Sequence, residues 1–344
     1  MPLNTPAPKK LRKPRSSGAI TLREVAKLAG VAPMTVSRVL NQPELVTAST
    51  LQVVQAAIER TGYVPNLLAG GLASQKSRLV AAIVPSIGNS IFADVIEALA
   101  DRLNGEGYKV LLGLSGYPPD EEENLLTTVL SRKPDAVVLT GITHSRLSRS
   151  RLLAAKIPVV ETWDYTPTPI DMLVGFSHDK LGREVAEYLH DKGHRRIGMV
   201  WASDERARIR QQAFIAALSE RSVPDVQVAV VDAPSTLKKG REGIAEIFNR
   251  GKTLDAVFCS SDILAQGVLT ECQMRGLSVP GDLAVVGFGD FEFAAHICPP
   301  LTTVHIDRRA IGRAAAEAVL ARIAGRDVEK IVDVGFRLIE RESA

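Results

Sequence analysis

The chain has 344 residues, of which 45% are hydrophobic and 24% charged, and its formal net charge at neutral pH is +3. This length predicts two or three domains, and the composition is that of an ordinary globular protein rather than a disordered or fibrous one. The sequence has no run of about 18 apolar residues, which excludes a membrane-spanning helix.

The compartment follows from two further features. The basic N-terminus is not followed by the apolar segment of a signal peptide, so we expect a cytoplasmic protein. Cys259, Cys272 and Cys298 are an odd number without C-x-x-C spacing. They predict buried thiols of a protein in a reducing compartment rather than a disulfide framework or a metal site.

Positive charge is concentrated near the N-terminus. Residues 1–77 contain ten Lys or Arg and three Glu, a balance of +7, so the rest of the chain is at −4. A basic head on an acidic body is typical of a nucleic-acid-binding module joined to a domain that does not bind nucleic acid. The alternative is a basic tail without a partner. We assign residues 1–19 to a disordered basic tail.

Three short helical patterns follow in residues 20–64. The first begins at a Thr21 cap and ends at Gly30, the second opens near Pro33, and the third runs from a cap at Ser49 or Thr50 to Gly62. The residues predicted to face inward are Leu22, Val25, Ala26, Ala29, Val36, Val39, Leu40, Leu51, Val54 and Ile58. This arrangement predicts a helix-turn-helix module.

The outer face of the second helix presents positions 34, 38 and 41. Arg38 can contact guanine through two hydrogen bonds, and Met34 offers an apolar contact to a thymine methyl group. Thr35 and Ser37 carry short hydroxyls that can hold phosphates. The alternative is a three-helix protein-interaction module in which Arg38 is only solvated.

The stretch TLREVAKLAGVAPMTVSRVLN (21–41) resembles the DNA-binding signature of LacI/GalR-type transcriptional repressors, and the similarity covers nearly the whole chain. The resemblance implies that Pro33, Met34 and Arg38 read bases. It also implies a hinge helix or linker at residues 65–77, where Leu72 is wedged into the minor groove and Gly70 replaces the usual Arg. The predicted DNA-binding residues are Thr21, Pro33, Met34, Thr35, Ser37, Arg38, Asn41, Tyr63, Asn66 and Leu72.

From residue 78 onward, strand-like apolar runs alternate with amphipathic helical patterns in two series. This predicts an α/β core of two doubly wound parallel-sheet subdomains, with ligand space at the carboxyl ends of the strands. The order is similar to the family's periplasmic-binding-protein-like core, which implies three crossings, near residues 175, 304 and 334. We assign residues 78–175 and 305–334 to subdomain 1, and 176–304 and 335–344 to subdomain 2.

The sequence contains no phosphate-binding loop, serine-hydrolase or zinc-peptidase motif, and six scattered His have no metal-like spacing. We therefore predict that the protein is not an enzyme and needs neither metal nor cofactor. A periplasmic solute-binding protein would share the core but lack residues 30–41. The remaining alternative is a sugar-acid-binding or enzymatic protein whose head binds another protein.

The resemblance also implies an effector site in the core. Arg210 matches the family's effector-binding arginine, although a surface charge like Arg206 and Arg208 is the alternative. Core packing is the alternative for the aromatic residues, and helix capping for Asp262. The predicted effector-binding residues are Phe92, Trp163, Phe176, Arg210, Ser261, Asp262 and Asp290.

One departure bears on the ligand. Sugar-binding members usually have Asp after the aromatic residue of VVGYD, whereas this chain reads VVGFGD, with Gly289 there and Asp290 one residue later. Loss of a carboxylate favours an anionic ligand. Runs such as PSIGNSIFADV and VGFSHD also resemble gluconate-responsive repressors.

We therefore expect a homodimeric repressor at the nucleoid. A sugar acid, gluconate or 2-ketogluconate, would release it from a palindromic operator that controls sugar-acid catabolism and transport genes. The final residues, RLIERESA, show no heptad repeat, so a coiled-coil tetramer is not expected.

Overall fold

The computed structural model describes residues 20–64, 76–88, 90–117 and 119–344, with Ser90 and Pro119 described by their backbone only. The predicted tail of residues 1–19 lies outside this part of the chain, as do Asn66, Leu72 and most of the predicted hinge. The chain divides into two compact units, residues 1–75 and 76–344. No helix within the described residues is both long and apolar enough to cross a membrane.

In residues 20–64, three short helices pack together: α1 (Leu22–Ala29), α2 (Pro33–Asn41) and α3 (Ala48–Thr61), with a 3-10 turn (Pro43–Leu45) before α3. Their apolar faces meet in a small core that confirms the predicted inward positions. The core consists of Val25, Ala26, Ala29, Val36, Val39, Val54 and Ala57, with Leu22, Leu40, Leu51 and Ile58 packed against it.

The sequence correctly predicts both ends of α1 but not the start of α3. Thr21 and Glu24 form a capping box, and Gly30 ends α1 with φ of 67°. The predicted cap of α3 at Ser49 or Thr50 is wrong. Thr47 has the extended backbone that a cap requires and accepts a hydrogen bond from the backbone N–H three residues later, so the predicted residues lie in the first helical turn.

The core unit alternates strands and helices, and its strands form two sheets in the described part of the chain. The strands are β1 (Leu79–Val84), β2 (Lys109–Leu114), β3 (Ala136–Thr140), β4 (Val159–Thr162), β5 (Met172–Gly175), β6 (Ile197–Ala202), β7 (Gln227–Val231), β8 (Ala256–Cys259), β9 (Ala284–Gly289), β10 (Thr302–His305), β11 (Ile331–Asp333) and β12 (Arg337–Ile339). The helices are α4 (Ser90–Asn104), α5 (Pro119–Ser131), α6 (Arg146–Ala155), α7 (His178–Asp191), α8 (Glu205–Glu220), α9 (Leu237–Asn249), α10 (Asp262–Met274) and α11 (Arg308–Ile323).

Sheet A has the order β11-β5-β4-β3-β1-β2, and sheet B has the order β12-β10-β9-β8-β6-β7. Two doubly wound α/β subdomains confirm the predicted fold class. The expectation of wholly parallel sheets needs one correction, because β12 pairs antiparallel with β10. Only residues 334–336 separate the carboxyl end of β11 from the start of β12. β12 therefore begins near the carboxyl ends of the parallel strands and runs in the opposite direction to them.

The chain passes between the two sheets three times. β5 ends in sheet A at Gly175, β10 ends in sheet B at His305, and β11 ends in sheet A at Asp333. The helix after the first passage, α7, packs on α8, and the helix after the second, α11, packs on α4. The predicted crossings, near residues 175, 304 and 334, fall at these points.

Candidate DNA-reading face and effector cleft

The outer face of α2 is the candidate DNA-reading surface. Val36 and Val39 are buried, so Met34 and Arg38, four residues apart, share the opposite side of the helix. Met34 is 70% exposed. Arg38 is exposed and makes no hydrogen bond or ion pair with the described residues. An apolar tip beside a free guanidinium is suited to a thymine methyl group and a guanine edge.

The other predicted DNA-contact residues in the described part of the chain differ in exposure and in hydrogen bonding. Asn41 is exposed, but its Nδ2 donates to the Ser37 carbonyl oxygen at 2.8 Å, so the amide is turned back onto α2. The Thr21 hydroxyl is engaged with Glu24 in the capping box. Thr21 is exposed, as is Pro33, whereas Thr35, Ser37 and Tyr63 are half-buried.

The core unit contains a cleft lined by residues that follow the strands of both sheets, and it has two adjoining compartments. The first, the arginine compartment, has about 490 Å³ of space and is lined by Phe92, Trp163, Arg206, Arg210, Ser260 and Phe288 among others. The second, the acidic compartment, has about 800 Å³ and is lined by Glu122, Thr140, Asp164, Asp204, Glu205 and Arg206 among others. Ligand space at the carboxyl ends of the strands is where the fold places it.

Arg210 lies on the wall of the arginine compartment and is only 3% exposed. Its guanidinium stacks on the Phe288 ring, with 3.9 Å from Cζ to the ring centre, and its Nη2 donates to the Ser260 carbonyl oxygen at 3.1 Å. Nε has no hydrogen-bond partner in the described part of the chain. Burial lowers the pKa of Arg210 to about 10, which leaves the side chain protonated at neutral pH.

His178 joins this arginine to the opposite wall. Its Nδ1 lies 3.0 Å from Arg210 Nη1, and its Nε2 lies 3.0 Å from the Trp163 carbonyl oxygen. A guanidinium can only donate, so Nδ1 accepts and Nε2–H donates, which defines a neutral ring. Burial, reinforced by the nearby arginine charges, keeps the pKa of His178 well below its usual value and agrees with that tautomer.

Arg206 also faces the cleft, whereas Arg208 does not. The Arg206 side chain is 13% exposed, and its Cζ lies 5.5 Å from the centre of the Phe92 ring. Arg208, two residues along α8, is exposed and paired with Glu205. The alternative of a surface charge therefore describes Arg208 and neither Arg206 nor Arg210.

Two of the three predicted aromatic residues lie on the cleft wall. Phe92 and Trp163 meet edge to face at 5.6 Å, and Trp163 has a left-handed backbone with φ of 71°. Phe176 is fully buried behind Trp163, with ring centres 5.4 Å apart, so it supports the wall rather than lining it. Phe288, which sequence reasoning missed, provides the ring beneath Arg210.

Like the aromatic residues, the predicted polar residues divide into those that line the cleft and those that lie behind its wall. Ser261 lines the arginine compartment and caps α10. Asp262 is fully buried behind it and accepts hydrogen bonds from the Phe291 amide at 2.8 Å and from the Thr303 hydroxyl. Burial raises the pKa of Asp262 to about 6. The structure thus places Asp262 in the interior of subdomain 2, contrary to its predicted effector contact.

Asp290 is likewise held away from the cleft lining. Its carboxylate pairs with Arg341 Nη2 at 2.8 Å and with His305 Nδ1 at 2.9 Å. The one-residue displacement seen in the sequence therefore directs the carboxylate toward C-terminal partners. Gly289, with φ of 125°, occupies the position directly after Phe288, where sugar-binding members usually have Asp.

The acidic compartment contains residues that sequence reasoning missed. Asp164 follows β4 and is almost fully buried, and burial raises its pKa to about 6. Asp204 follows β6 and separates the two compartments together with Tyr117 and Arg206. Their position directly after predicted strands was the available signal. Within the described residues, no cluster of His, Cys, Asp and Glu could hold a metal ion. Cys259 and Cys272 are buried as predicted, whereas Cys298 is exposed, so its predicted burial is wrong.

Both parts of the chain match known protein families. Residues 21–66 match the model of bacterial regulatory proteins of the lacI family, and residues 186–344 match that of the periplasmic binding protein-like domain. The HTH-type transcriptional regulator GntR of Pseudomonas aeruginosa is 37% identical over 332 residues, which cover 96% of this chain and 97% of the relative. GntR of Escherichia coli K12 is 35% identical over 319 residues, covering 92% and 96%.

Solved structures show the same relationship. A LacI-family transcriptional regulator from Silicibacter pomeroyi has a TM-score of 0.88 at 35% identity, covering 94% of this chain and 99% of that one. The lac repressor dimer bound to operator and the anti-inducer ONPF has a TM-score of 0.81 at 25% identity, with coverage of 94% and 99%. The curated relatives are named transcriptional regulators rather than enzymes. The chain therefore belongs to the LacI family and is a DNA-binding transcriptional repressor.

Proposed function

We propose that this repressor binds a palindromic operator as a homodimer at the nucleoid and leaves it when a sugar acid, gluconate or 2-ketogluconate, enters the cleft. The genes under its control would be those for the catabolism and transport of that acid. The observation that carries this proposal is the pair of arginines, Arg206 and Arg210, on the wall of the arginine compartment.

The compartment has the chemistry that a small sugar acid needs. A guanidinium recognises a carboxylate through charge-assisted hydrogen bonds, and one arginine here has a buried, unpartnered Nε among the described residues. Ser235, Ser260 and Ser261 supply polar groups for sugar hydroxyls, and Phe92 and Trp163 supply apolar surface.

DNA recognition follows from α2 and the hinge together. Met34 and Arg38 would read bases in the major groove, and the short hydroxyls of Thr35 and Ser37 would hold phosphates. Leu72, which lies outside the described residues, would act as an apolar wedge in the minor groove at the operator centre. Two such half-sites, one per protomer, require a palindromic operator.

Dimerisation is supported by the edge of sheet A. β2 is the outermost strand of that sheet, and Leu112 and Leu114 are 39% and 50% exposed there. An exposed apolar edge strand is open to pairing with a second copy of the chain. The similar lac repressor structure is a dimer.

Two titrations test the proposal. The first follows the fluorescence of Trp163, on the cleft wall, while gluconate, 2-ketogluconate, glucose or a purine is added; Trp163→Phe identifies the signal. The second follows the anisotropy of labelled DNA from upstream of the gene, with and without the effector. We expect sugar acids alone to bind and to lower DNA affinity, and DNA binding to weaken steeply with salt. A response restricted to neutral sugars or purines contradicts the effector assignment.

A further inference from the structure

We propose that Arg206 selects an anionic effector by forming, with Arg210, a two-arginine seat for one carboxylate between the two subdomains. The inference rests on the proposed function, in which the effector is a sugar acid. It adds a specificity-determining residue that the sequence resemblance does not assign.

The first observation is the position of Arg206. Its side chain lines both compartments of the cleft, and Arg210 lines the arginine compartment one helical turn further along α8. Residues four apart in a helix lie on the same face, so the two guanidinium groups reach the same space. Arg208 lies between them in the sequence, points outward and forms an ion pair with Glu205.

The second observation is the set of unfilled donors. A guanidinium carries five N–H groups, and buried polar groups are normally hydrogen-bonded. Within the described residues, Arg206 makes no hydrogen bond, and its nearest carboxylate contact, from Nε to Asp204 Oδ1, is 3.7 Å long. In the same part of the chain, the Nε of Arg210 is buried without a hydrogen-bond partner. A bound carboxylate would supply acceptors to both.

The third observation is that Arg206 spans the cleft. It belongs to α8 of subdomain 2, yet its guanidinium lies over Phe92 of α4 in subdomain 1. It also approaches Gly141, which follows β3 in subdomain 1, so closely that a Cβ at Gly141 would lie 3.3 Å from Nη1. Because Arg206 itself contacts both walls, its hold on a carboxylate depends on how the two subdomains are placed.

The test compares two ligands that differ at one carbon. Gluconate and glucitol share the polyol chain, but glucitol has a hydroxymethyl group in place of the carboxylate. Calorimetric titrations of the full-length protein would use the wild type, Arg206→Gln, Arg206→Lys and the matched control Arg208→Gln. Thermal unfolding and operator binding without ligand establish that each variant is folded.

We expect Arg206→Gln to weaken gluconate binding roughly 10- to 100-fold and to leave any glucitol binding unchanged, so that selectivity for the acid falls. Arg206→Lys keeps the charge but not the planar fork, so its affinity should be intermediate, and Arg208→Gln should match the wild type. Gluconate binding by Arg206→Gln at wild-type strength, or equal losses for both ligands, overturns the inference alone. Wild-type protein that binds neither gluconate nor 2-ketogluconate overturns the proposed function as well.

Discussion

At the scale of single residues, the arginines proposed to bind DNA or effector differ from the structural ones by what their guanidinium groups contact. Arg102 is paired with Glu317, and Arg308 with Asp94, so these side chains have partners within the core unit. Arg38 has no hydrogen bond or ion pair among the described residues, and Arg206 only a long ion pair. A guanidinium without a partner is available to a base edge, a phosphate or a carboxylate.

Replacing Arg38 with Ala should abolish specific operator binding while the response to effector is retained. A bidentate contact to guanine contributes about 1–3 kcal/mol of discrimination, so the two contacts of a dimer contribute about 2–6 kcal/mol, and specific affinity should fall by roughly 30-fold to 10⁴-fold. Anisotropy with operator and with scrambled DNA measures the change. Arg60→Ala, an exposed arginine in the last turn of α3, is the matched control. Equal losses for both variants would show that Arg38 acts only through charge.

Asp164 should make effector binding depend on pH. Burial raises its pKa to about 6, and the charges of Arg206 and Arg210 partly oppose that rise. Above pH 6 the ionised carboxylate competes with an anionic ligand for the arginines, whereas below pH 6 it is neutral. Gluconate, with an ordinary carboxylate pKa, stays ionised, so its affinity should rise about fivefold from pH 7.5 to pH 5.5, an effect of about 1 kcal/mol.

Calorimetry at both pH values measures this effect, with Asp164→Asn as the comparison. The Asn variant should bind gluconate with nearly the same affinity at each pH and more tightly than the wild type at pH 7.5. An Asn variant with the wild-type pH dependence would assign the titration to another group.

Single residues also show what sequence reasoning could supply. The spacing of Arg206 and Arg210 on one helical face is readable from the sequence, and so is the exposure of Met34 beside buried valines. The directions of Asp262 and Asp290 are not, because their partners, Thr303 and Arg341, are 41 and 51 residues away along the chain. Only the folded topology brings such groups together.

At the scale of elements, local chemistry accounts for most helix boundaries. The capping box of α1 and the left-handed glycines that end α1 and α3 are sequence signals that the structure reproduces. Elements that depend on contacts with residues far along the chain were harder to predict. β12 has only three residues, and its antiparallel direction follows from the short connection between the two sheets. The polar helix α6 gave no clear apolar stripe.

The start of α2 has no side-chain cap. Ala32 has the extended backbone of a cap, with φ of −69° and ψ of 148°, but a methyl group cannot accept a hydrogen bond. Ala32→Ser should stabilise the N-terminal unit by about 1 kcal/mol, and Thr21→Ala should destabilise it by a similar amount. Hydrogen exchange of the α1 and α2 amides in the full-length protein measures both. Unchanged exchange in the Ser variant would mean that its hydroxyl does not cap α2.

At the scale of the whole molecule, a repressor of this kind needs two states that the effector binds with different strength. The cleft is suited to this because its walls belong to both subdomains and the chain crosses between them three times. The hydrogen bonds from Arg210 to His178 and from His178 to the Trp163 carbonyl oxygen connect those walls. A nearly complete switch requires a preference of roughly 10⁴-fold for one state, so even a ligand that contacts both walls must gain several kcal/mol on closure.

A dimer is needed for operator binding if two half-sites are read together. Leu112→Lys with Leu114→Lys places two charges on the exposed edge of β2, where lysine opposes strand pairing. The double variant should elute with the mass of a monomer and lose roughly 100-fold or more in operator affinity, because the second half-site no longer binds at high effective concentration. Its gluconate affinity should not change, since neither side chain lines the described cleft.

The matching control is Val230→Lys on β7, which forms the corresponding edge of sheet B and is also exposed. That variant should remain dimeric, because the proposed interface lies on sheet A. Light scattering coupled to gel filtration distinguishes the two outcomes. A dimeric double variant together with a monomeric Val230→Lys variant would move the interface to subdomain 2, and effector closure would then have to reach the operator through that subdomain instead.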